Sequence, residues 1–201
     1  MAKTKTTEEK EATVENVLKT AKVKANKKEG FTMELVYDEV ITLPTNEVII
    51  TPVSKFPPKT PHEDMFKALR LLVPHWAIDA EEKDVKDFNK KYFENDMALE
   101  DKSLERFKVT GIHVKDKNEQ KHVVLVGRKV LKSGRVINHS PMFNIDNMED
   151  GYIYAEQLNK AVENFMKEVG EYMEGKVAPN PQTTMFPETG EPGKSNMKVA
   201  S

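Results

Sequence analysis

The chain has 201 residues, a formal net charge of −2 and no cysteine. A chain of this length buries about 70% of its unfolded surface when it folds, so it needs neither a disulfide nor a metal for stability. The absence of cysteine excludes a disulfide framework, a thiolate metal site and a cysteine nucleophile, and the near-neutral charge argues against a generally cationic nucleic-acid binder.

The first residues and the longest apolar runs predict the compartment. Residues 1–5 include two lysines and no apolar stretch typical of a signal peptide. No apolar run approaches the length of a membrane span. We therefore expect a cytoplasmic protein that makes no membrane contact.

The N-terminal segment, residues 1–30, is polar and rich in lysine and glutamate. Apolar residues recur in it at helical spacing and predict a weakly amphipathic helix over 7–23. They are Val14, Val17, Leu18 and Ala21.

Two strands and a linker are predicted next. Alternating apolar residues over 31–38 indicate a half-buried strand, and 47–53 is rich in the β-branched residues that favour a second one. The proline-rich stretch 55–61 then predicts an extended linker.

A helix and an acidic insertion follow. Apolar residues at 3-4-3 spacing predict a helix over 62–77, with a kink in its last turn at Pro74. Residues 79–105 hold ten acidic and five basic side chains, which is typical of an insertion with one surface helix.

A second group of strands occupies the middle of the chain. We predict a strand over 107–115 with a bulge at Gly111, and a strand over 122–131 that is apolar on both faces. A strand of the latter kind is central and covered on both sides. A hairpin turn at Gly134 leads into a strand over 136–143.

The C-terminal part combines a helix and a tail. Apolar residues keep 3-4-3-4-3 spacing through 152–174, which predicts a long amphipathic helix, and Gly175 is a fitting C-cap. Residues 177–201 are rich in Pro, Gly, Thr, Ser and Asn and predict a disordered tail.

The element order predicts one α+β domain over residues 31–176. It consists of an antiparallel sheet of about five strands with both main helices packed on one face. Something must then cover the second apolar face of 122–131. The N-terminal helix, the acidic insertion or a second subunit are the alternatives, and the last of these makes a homodimer through the sheet a hypothesis.

Charge is distributed unevenly along the second half of the chain. Residues 106–139 carry nine basic and two acidic side chains, and residues 140–176 carry eight acidic and three basic ones. In extended strands the basic side chains predict a phosphate-binding surface, with His113, His122 or Tyr37 stacking on bases. The candidate site residues are Lys108, Lys115, Lys121, Arg128, Lys129, Lys132 and Arg135. Ordinary solvation and protection of a sheet edge are the commoner meaning of such a run.

Other candidate sites are weaker than this surface. His113, His122 and His139 suggest a three-histidine metal site, but no carboxylate or motif spacing supports one. Glu63 and Asp64 satisfy a helix start more simply than they act as acid and base. No nucleophile elbow, P-loop or Rossmann fingerprint occurs, so we expect no catalytic residue, no metal and no cofactor.

The second half of the chain resembles a family of small proteins of tailed bacteriophages, notably phages of gut Bacteroidetes. The resemblance covers roughly residues 31–178 and rests on 62–76 (HEDMFKALRLLVPHW), 109–112 (VTGI), 124–129 (VLVGRK), 131–136 (LKSGRV) and 155–176. It implies a phage protein made in the host cytoplasm from an early gene region concerned with DNA metabolism or host takeover. It brings no catalytic residues.

Together these patterns predict a non-enzymatic phage accessory protein that binds single-stranded DNA through its basic strands. One alternative is a protein-interaction or inhibitor module, in which the acidic insertion and last helix mimic DNA or bind a host or defence protein. A further alternative is a counter-defence protein that sequesters a small ligand between sheet and helices.

Overall fold

A computed structural model describes residues 12–26, 30–117, 120–145 and 152–179. Its strands are β1 (Thr13–Asn26), β2 (Gly30–Thr42), β3 (Val48–Lys55), β4 (Phe107–Lys117), β5 (Gln120–Val130), β6 (Val136–His139) and β7 (Met142–Asn144). Its helices are α1 (Glu63–Leu71), α2 (Val73–Asp79), α3 (Lys90–Glu94) and α4 (Ala155–Met173), with 3-10 turns at Val85–Asp87, Met97–Leu99 and Lys102–Leu104.

The strands form one antiparallel sheet in the order β3-β2-β1-β4-β5-β6, and β7 also pairs with β5. This confirms the α+β prediction, although the sheet has seven strands rather than about five. One addition is β1. The other arises because the strand predicted over 136–143 is interrupted at Ser140 and Pro141, where the Pro141 carbonyl accepts a hydrogen bond from the Leu125 amide.

The helix predicted over 7–23 is wrong from residue 13 onward, and residues 7–11 lie outside the described part. A bulge between Leu18 and Thr20 explains the misleading pattern. Leu18 pairs with Tyr37 and Ala21 with Leu35, so the bulge places two residues three apart on the same side of a strand. That spacing imitates a helix, whereas the strand is favoured by pairing along all of β2.

The core lies between one side of the sheet and the helices. Helices α1 and α2 pack on β4, and α4 packs on α1. Trp76 of α2 is buried against Gly127 of β5, where any Cβ would overlap the indole ring, and its Nε1 donates to the His139 carbonyl at 2.9 Å. The single helix predicted over 62–77, with a kink in its last turn at Pro74, is instead two helices that divide at Leu72, and Pro74 lies in the first turn of α2.

The acidic insertion contains the one predicted helix and is held to α1 by hydrogen bonds. The helix is α3, which has five residues, and three 3-10 turns of three residues each lie before and after it. Arg70 of α1 donates to the carbonyls of Ala98, Asp101 and Leu104 at 2.6–2.9 Å. Because Ala98 and Leu104 are buried in the same core as the helices, the insertion lies on the helix side of the sheet.

The chain end next to α4 also differs from the prediction. Val177 bridges to Pro61, and the Ala178 amide donates to the Thr60 carbonyl. Residues 177–179 are therefore ordered against the proline-rich linker, and the remainder of the predicted tail lies outside the described residues.

Candidate nucleic-acid interface

The side of the sheet away from the helices carries no described helix or loop across it. We call this side the open face. Strand register defines its centre as a row of side chains running across five strands, in the order Val36, Thr20, His113, Val124 and Met142. Neither the insertion nor the N-terminal segment covers it, because the first lies on the helix side and the second is β1 within the sheet.

Four cationic side chains flank this row and share the open face. Lys108 pairs with Arg128 across β4 and β5, Lys115 pairs with His122, and Lys22 of β1 pairs with Gly111. None of the four makes an ion pair within the described ranges. Glu34 lies opposite Lys22 across β1 and β2, but its carboxylate bonds Lys24. Cations that form no ion pair attract phosphate groups. We call Lys22, Lys108, Lys115 and Arg128 the open-face cations.

The pKa of His113 is affected by the charged side chains around the centre of the open face. It is half-buried, and its Nδ1 lies 2.9 Å from the Thr20 hydroxyl. Burial lowers the pKa of His113 first, the positive charges of Lys22 and Lys115 lower it further, and the charge of Glu34 opposes them with a smaller effect. The imidazole is therefore neutral near neutral pH, with the cations close enough to oppose its protonation.

An exposed aromatic ring stands at one end of the open face. Phe56 follows directly after β3 and is 60% exposed. Its ring centroid lies 5.5 Å from Nζ of Lys24, which bonds Glu34 at 2.8 Å. Lys24 is two residues after Lys22 on the same strand, so both side chains are on the open face. The sequence predicts Phe56 only as part of an extended linker, because no local pattern connects it to the basic strands.

The structure brings together three of the seven predicted site residues. Lys108, Lys115 and Arg128 are on the open face, and Lys132 and Arg135 are exposed in the turn between β5 and β6.

Two predicted site residues and one predicted stacking residue are not on this face. Lys121 and Lys129 alternate with Arg128 along β5, so they lie on the helix side. Lys129 bonds Glu82 and sits 5.7 Å from the ring of buried Phe107. Tyr37 is 2% exposed on the helix side and cannot stack on a base.

Sequence reasoning missed Lys22 and Lys24, although a signal was present. Residues 21–25 alternate strictly between apolar and basic side chains, which is the period of a strand and not of a helix. The helical spacing of the preceding residues obscured that alternation.

The three histidines considered for a metal do not converge. His113 pairs with Val124 and His122 with Lys115, whereas His139 binds Asp79 on the helix side at 2.9 Å. In the described residues no group of three His, Cys, Asp or Glu side chains could hold a metal ion. Asp64, which was considered with Glu63 as a general acid or base, forms ion pairs with Lys67 and Lys176. These two lysines lower the pKa of Asp64 to about 2.

Comparison of the chain with protein-family models, curated proteins and solved structures finds no match. Among the helices of the described part, none is long and apolar enough to cross a membrane.

Proposed function

We propose that this protein is a non-enzymatic phage accessory factor that binds single-stranded DNA on the open face, in the cytoplasm of the host. The observation that carries the proposal is the set of four open-face cations, none of which forms an ion pair within the described residues. They lie on three adjacent strands of one sheet, so one extended polyanion can contact them all.

The composition of the face favours a single strand over a duplex. Val126 and Met142 are partly exposed between the cations, and Phe56 is exposed beside Lys24. An unpaired strand presents base faces to such side chains, whereas a duplex presents mainly phosphates. The described residues also include no helix projecting from this face that would enter a major groove.

Salt dependence of oligonucleotide binding tests the assignment of the cations. We expect fluorescence anisotropy to show that a labelled single strand binds better than the matching duplex. Log affinity should fall against log salt with a slope of about −3, because four phosphate contacts on a single strand give roughly 0.7 per contact.

A charge-neutral variant and a matched control separate this face from general electrostatics. Changing Lys22, Lys108, Lys115 and Arg128 to Gln should weaken binding at least about tenfold and flatten the salt slope. The control changes four exposed lysines of the helix side to Gln and should leave binding unchanged. These are Lys90, Lys91, Lys102 and Lys167. Equal loss in both variants, or no binding at low salt, would contradict the proposal and favour a protein partner.

Phe56 provides a second, independent test. We expect Phe56→Ala to cost about 1–3 kcal/mol of binding free energy to a single strand, because a base loses its stacking partner. The salt slope should not change, since no charge is removed. The thermal midpoint should also stay the same, because the ring is 60% exposed. Unaltered affinity would remove Phe56 from the site.

A further inference from the structure

A cavity of about 650 Å³ lies on the opposite side of the molecule, within the helical layer. Its walls come from α3, the first half of α4 and the junction of α1 with α2. The aromatic side chains of Tyr92 and Phe93 line the cavity, as do Leu71 and His75. This volume is in the range of pockets that hold small ligands.

His75 is a polar group without a complete set of partners. Its side chain is 0% exposed and stacks on Phe93, with ring centroids 4.7 Å apart and planes 21° apart. The Tyr152 hydroxyl lies 2.7 Å from Nδ1, whereas Nε2 has no partner among the described residues. Buried nitrogens of this kind normally have a partner, so an unsatisfied one in a cavity wall points to a missing group.

The protonation states of His75 and Tyr152 determine whether Nε2 of His75 is a hydrogen-bond donor or acceptor. Burial lowers the pKa of His75 to about 3 and raises the pKa of Tyr152 well above its usual range. The imidazole is therefore neutral and the phenol keeps its proton. A phenol hydroxyl donates readily to an imidazole nitrogen, so we assign the ring proton to Nε2, which makes that atom a donor.

Gln157 of α4 offers the complementary group in the same cavity. Its Oε1 is buried and has no hydrogen-bond partner within the described part of the chain. Two residues that line the cavity thus carry one unsatisfied donor and one unsatisfied acceptor. A ligand that uses both must itself carry an acceptor and a donor.

Charges among the lining residues restrict the ligand further. The lining includes four carboxylates and a single lysine, Lys160. The carboxylates are Glu94, Asp96, Glu156 and Glu163. An anionic group would be repelled here, whereas a neutral or cationic molecule would not.

We propose that this cavity binds a planar, phosphate-free heterocycle of the nucleobase or nucleoside class. The ligand packs against Tyr92 and Phe93, accepts a hydrogen bond from His75 Nε2 and donates one to Gln157 Oε1. Adenine and cytosine both present an acceptor nitrogen beside an amino donor and satisfy this requirement.

Calorimetric titration of the full chain near neutral pH tests this site. We expect adenosine or cytidine to bind, and adenosine monophosphate to bind at least about tenfold more weakly than adenosine because of the acidic lining. Gln157→Leu should weaken nucleoside binding about tenfold, since the ligand's donor loses its acceptor. His75→Phe should do the same through the lost donor.

Two further variants make the result specific. Glu156→Gln should narrow the difference in affinity between adenosine and its monophosphate, because it removes one of the four lining carboxylates. The protein with its four open-face cations changed to Gln should still bind adenosine, because that face lies across the sheet from the cavity. The absence of any heat with both nucleosides, or unchanged affinity in the folded Gln157→Leu variant, would overturn the proposal.

Discussion

Gly127 is the residue on which the packing of the single tryptophan depends. Added Cβ atoms at this position would overlap three atoms of the Trp76 indole, and Trp76 is only 1% exposed. We expect Gly127→Ala to lower the free energy of unfolding by about 1–3 kcal/mol, as overpacking of a filled core does. Urea unfolding followed by the fluorescence of Trp76 measures the effect.

Gly170 serves as the matched control for Gly127. It lies within α4, and a Cβ there would meet no atom within 4 Å. Gly170→Ala should raise the free energy of unfolding by about 0.5–1 kcal/mol, because alanine loses less conformational entropy in a helix than glycine. Equal stability of both variants would show that Trp76 is not packed against Gly127.

His75 should make the fold sensitive to acid. Its pKa is about 3 in the folded chain, against 6.5 for an ordinary histidine, so between these values only the unfolded chain takes up the proton. The free energy of unfolding is therefore highest above pH 6.5, the pKa of His75 in the unfolded chain. It decreases as the pH falls below that value, by about 1.4 kcal/mol per pH unit.

The comparison with His75→Gln isolates this contribution. Urea midpoints are measured from near neutral pH down to about pH 5, above the range in which carboxylates titrate. His113 also has a lowered pKa, but it contributes equally to both proteins. The variant should show the shallower pH dependence, and identical slopes would mean that His75 does not stay neutral in the fold.

At the scale of elements, β1 and β4 are joined by a short junction in the middle of the sheet. The two strands pair at only three positions, ending at Lys22 opposite Gly111. A Cβ on Gly111 would overlap the backbone of Ala21 and Lys22, which cannot rotate away as a side chain can. The open face is therefore assembled across a short junction that tolerates only glycine.

Gly111→Ala should separate β1 from β4. We expect faster hydrogen exchange in β1 and β2, little change in α4, and weaker oligonucleotide binding because Lys22 moves away from Lys115. Thr110→Ala is the control, since it removes one hydrogen bond to the Val126 carbonyl without adding volume. Unchanged exchange in β1 would contradict this account of the junction.

Bulges in β1 and β4 separate the elements that could be predicted from sequence from those that could not. Strands β2 to β5 and helix α4 have clear periods, and their positions were predicted. The helix predicted near Leu18 was wrong because a bulge depends on pairing with a distant strand, which no local period reveals. The bulge predicted at Gly111 is confirmed, since the pairing of β4 with β5 shifts between Val109 and Gly111. There the glycine inside a strand pattern was itself a local signal.

The candidate site was predictable only in part, for a related reason. Alternation along β5 separates Arg128 from Lys121 and Lys129, so two of the seven residues could have been assigned to the other side of the strand. Lys22 required knowledge that β1 joins the sheet. Phe56 could not be assigned to the site from sequence, because its contact with Lys24 arises only in the tertiary fold. The cavity beside His75 likewise depends on the packing of several helices, and no local pattern shows that Nε2 of His75 lacks a hydrogen-bond partner.

At the scale of the whole molecule, charge and apolar exposure fall on different parts of the sheet. A two-fold dimer formed by two open faces would bring the open-face cations of both copies together and desolvate them. The homodimer through the sheet remains a prediction, and this charge argues against the open face as its contact. The most exposed apolar strand is instead β3, with Val48 at 53%, Ile49 at 43% and Ile50 at 61%.

Strand β3 is an edge, so its outer backbone groups have no partner strand in the described sheet. Pro52 has no amide hydrogen and blocks further pairing along one half, which leaves residues 48–51 as the segment able to pair with another copy. We expect the wild-type protein to associate as its concentration rises. Ile50→Lys should reduce that association with little effect on the unfolding midpoint, because the side chain is largely exposed.

Val136→Lys is the matched control for this last prediction. Val136 is 46% exposed on β6, the opposite edge, which has four residues against eight in β3. A shorter edge offers fewer backbone hydrogen bonds to a second copy, so the same charge should change association less there. Sedimentation over a range of concentrations compares the two variants. An equal effect at both edges would mean that net charge, and not strand pairing at β3, controls association.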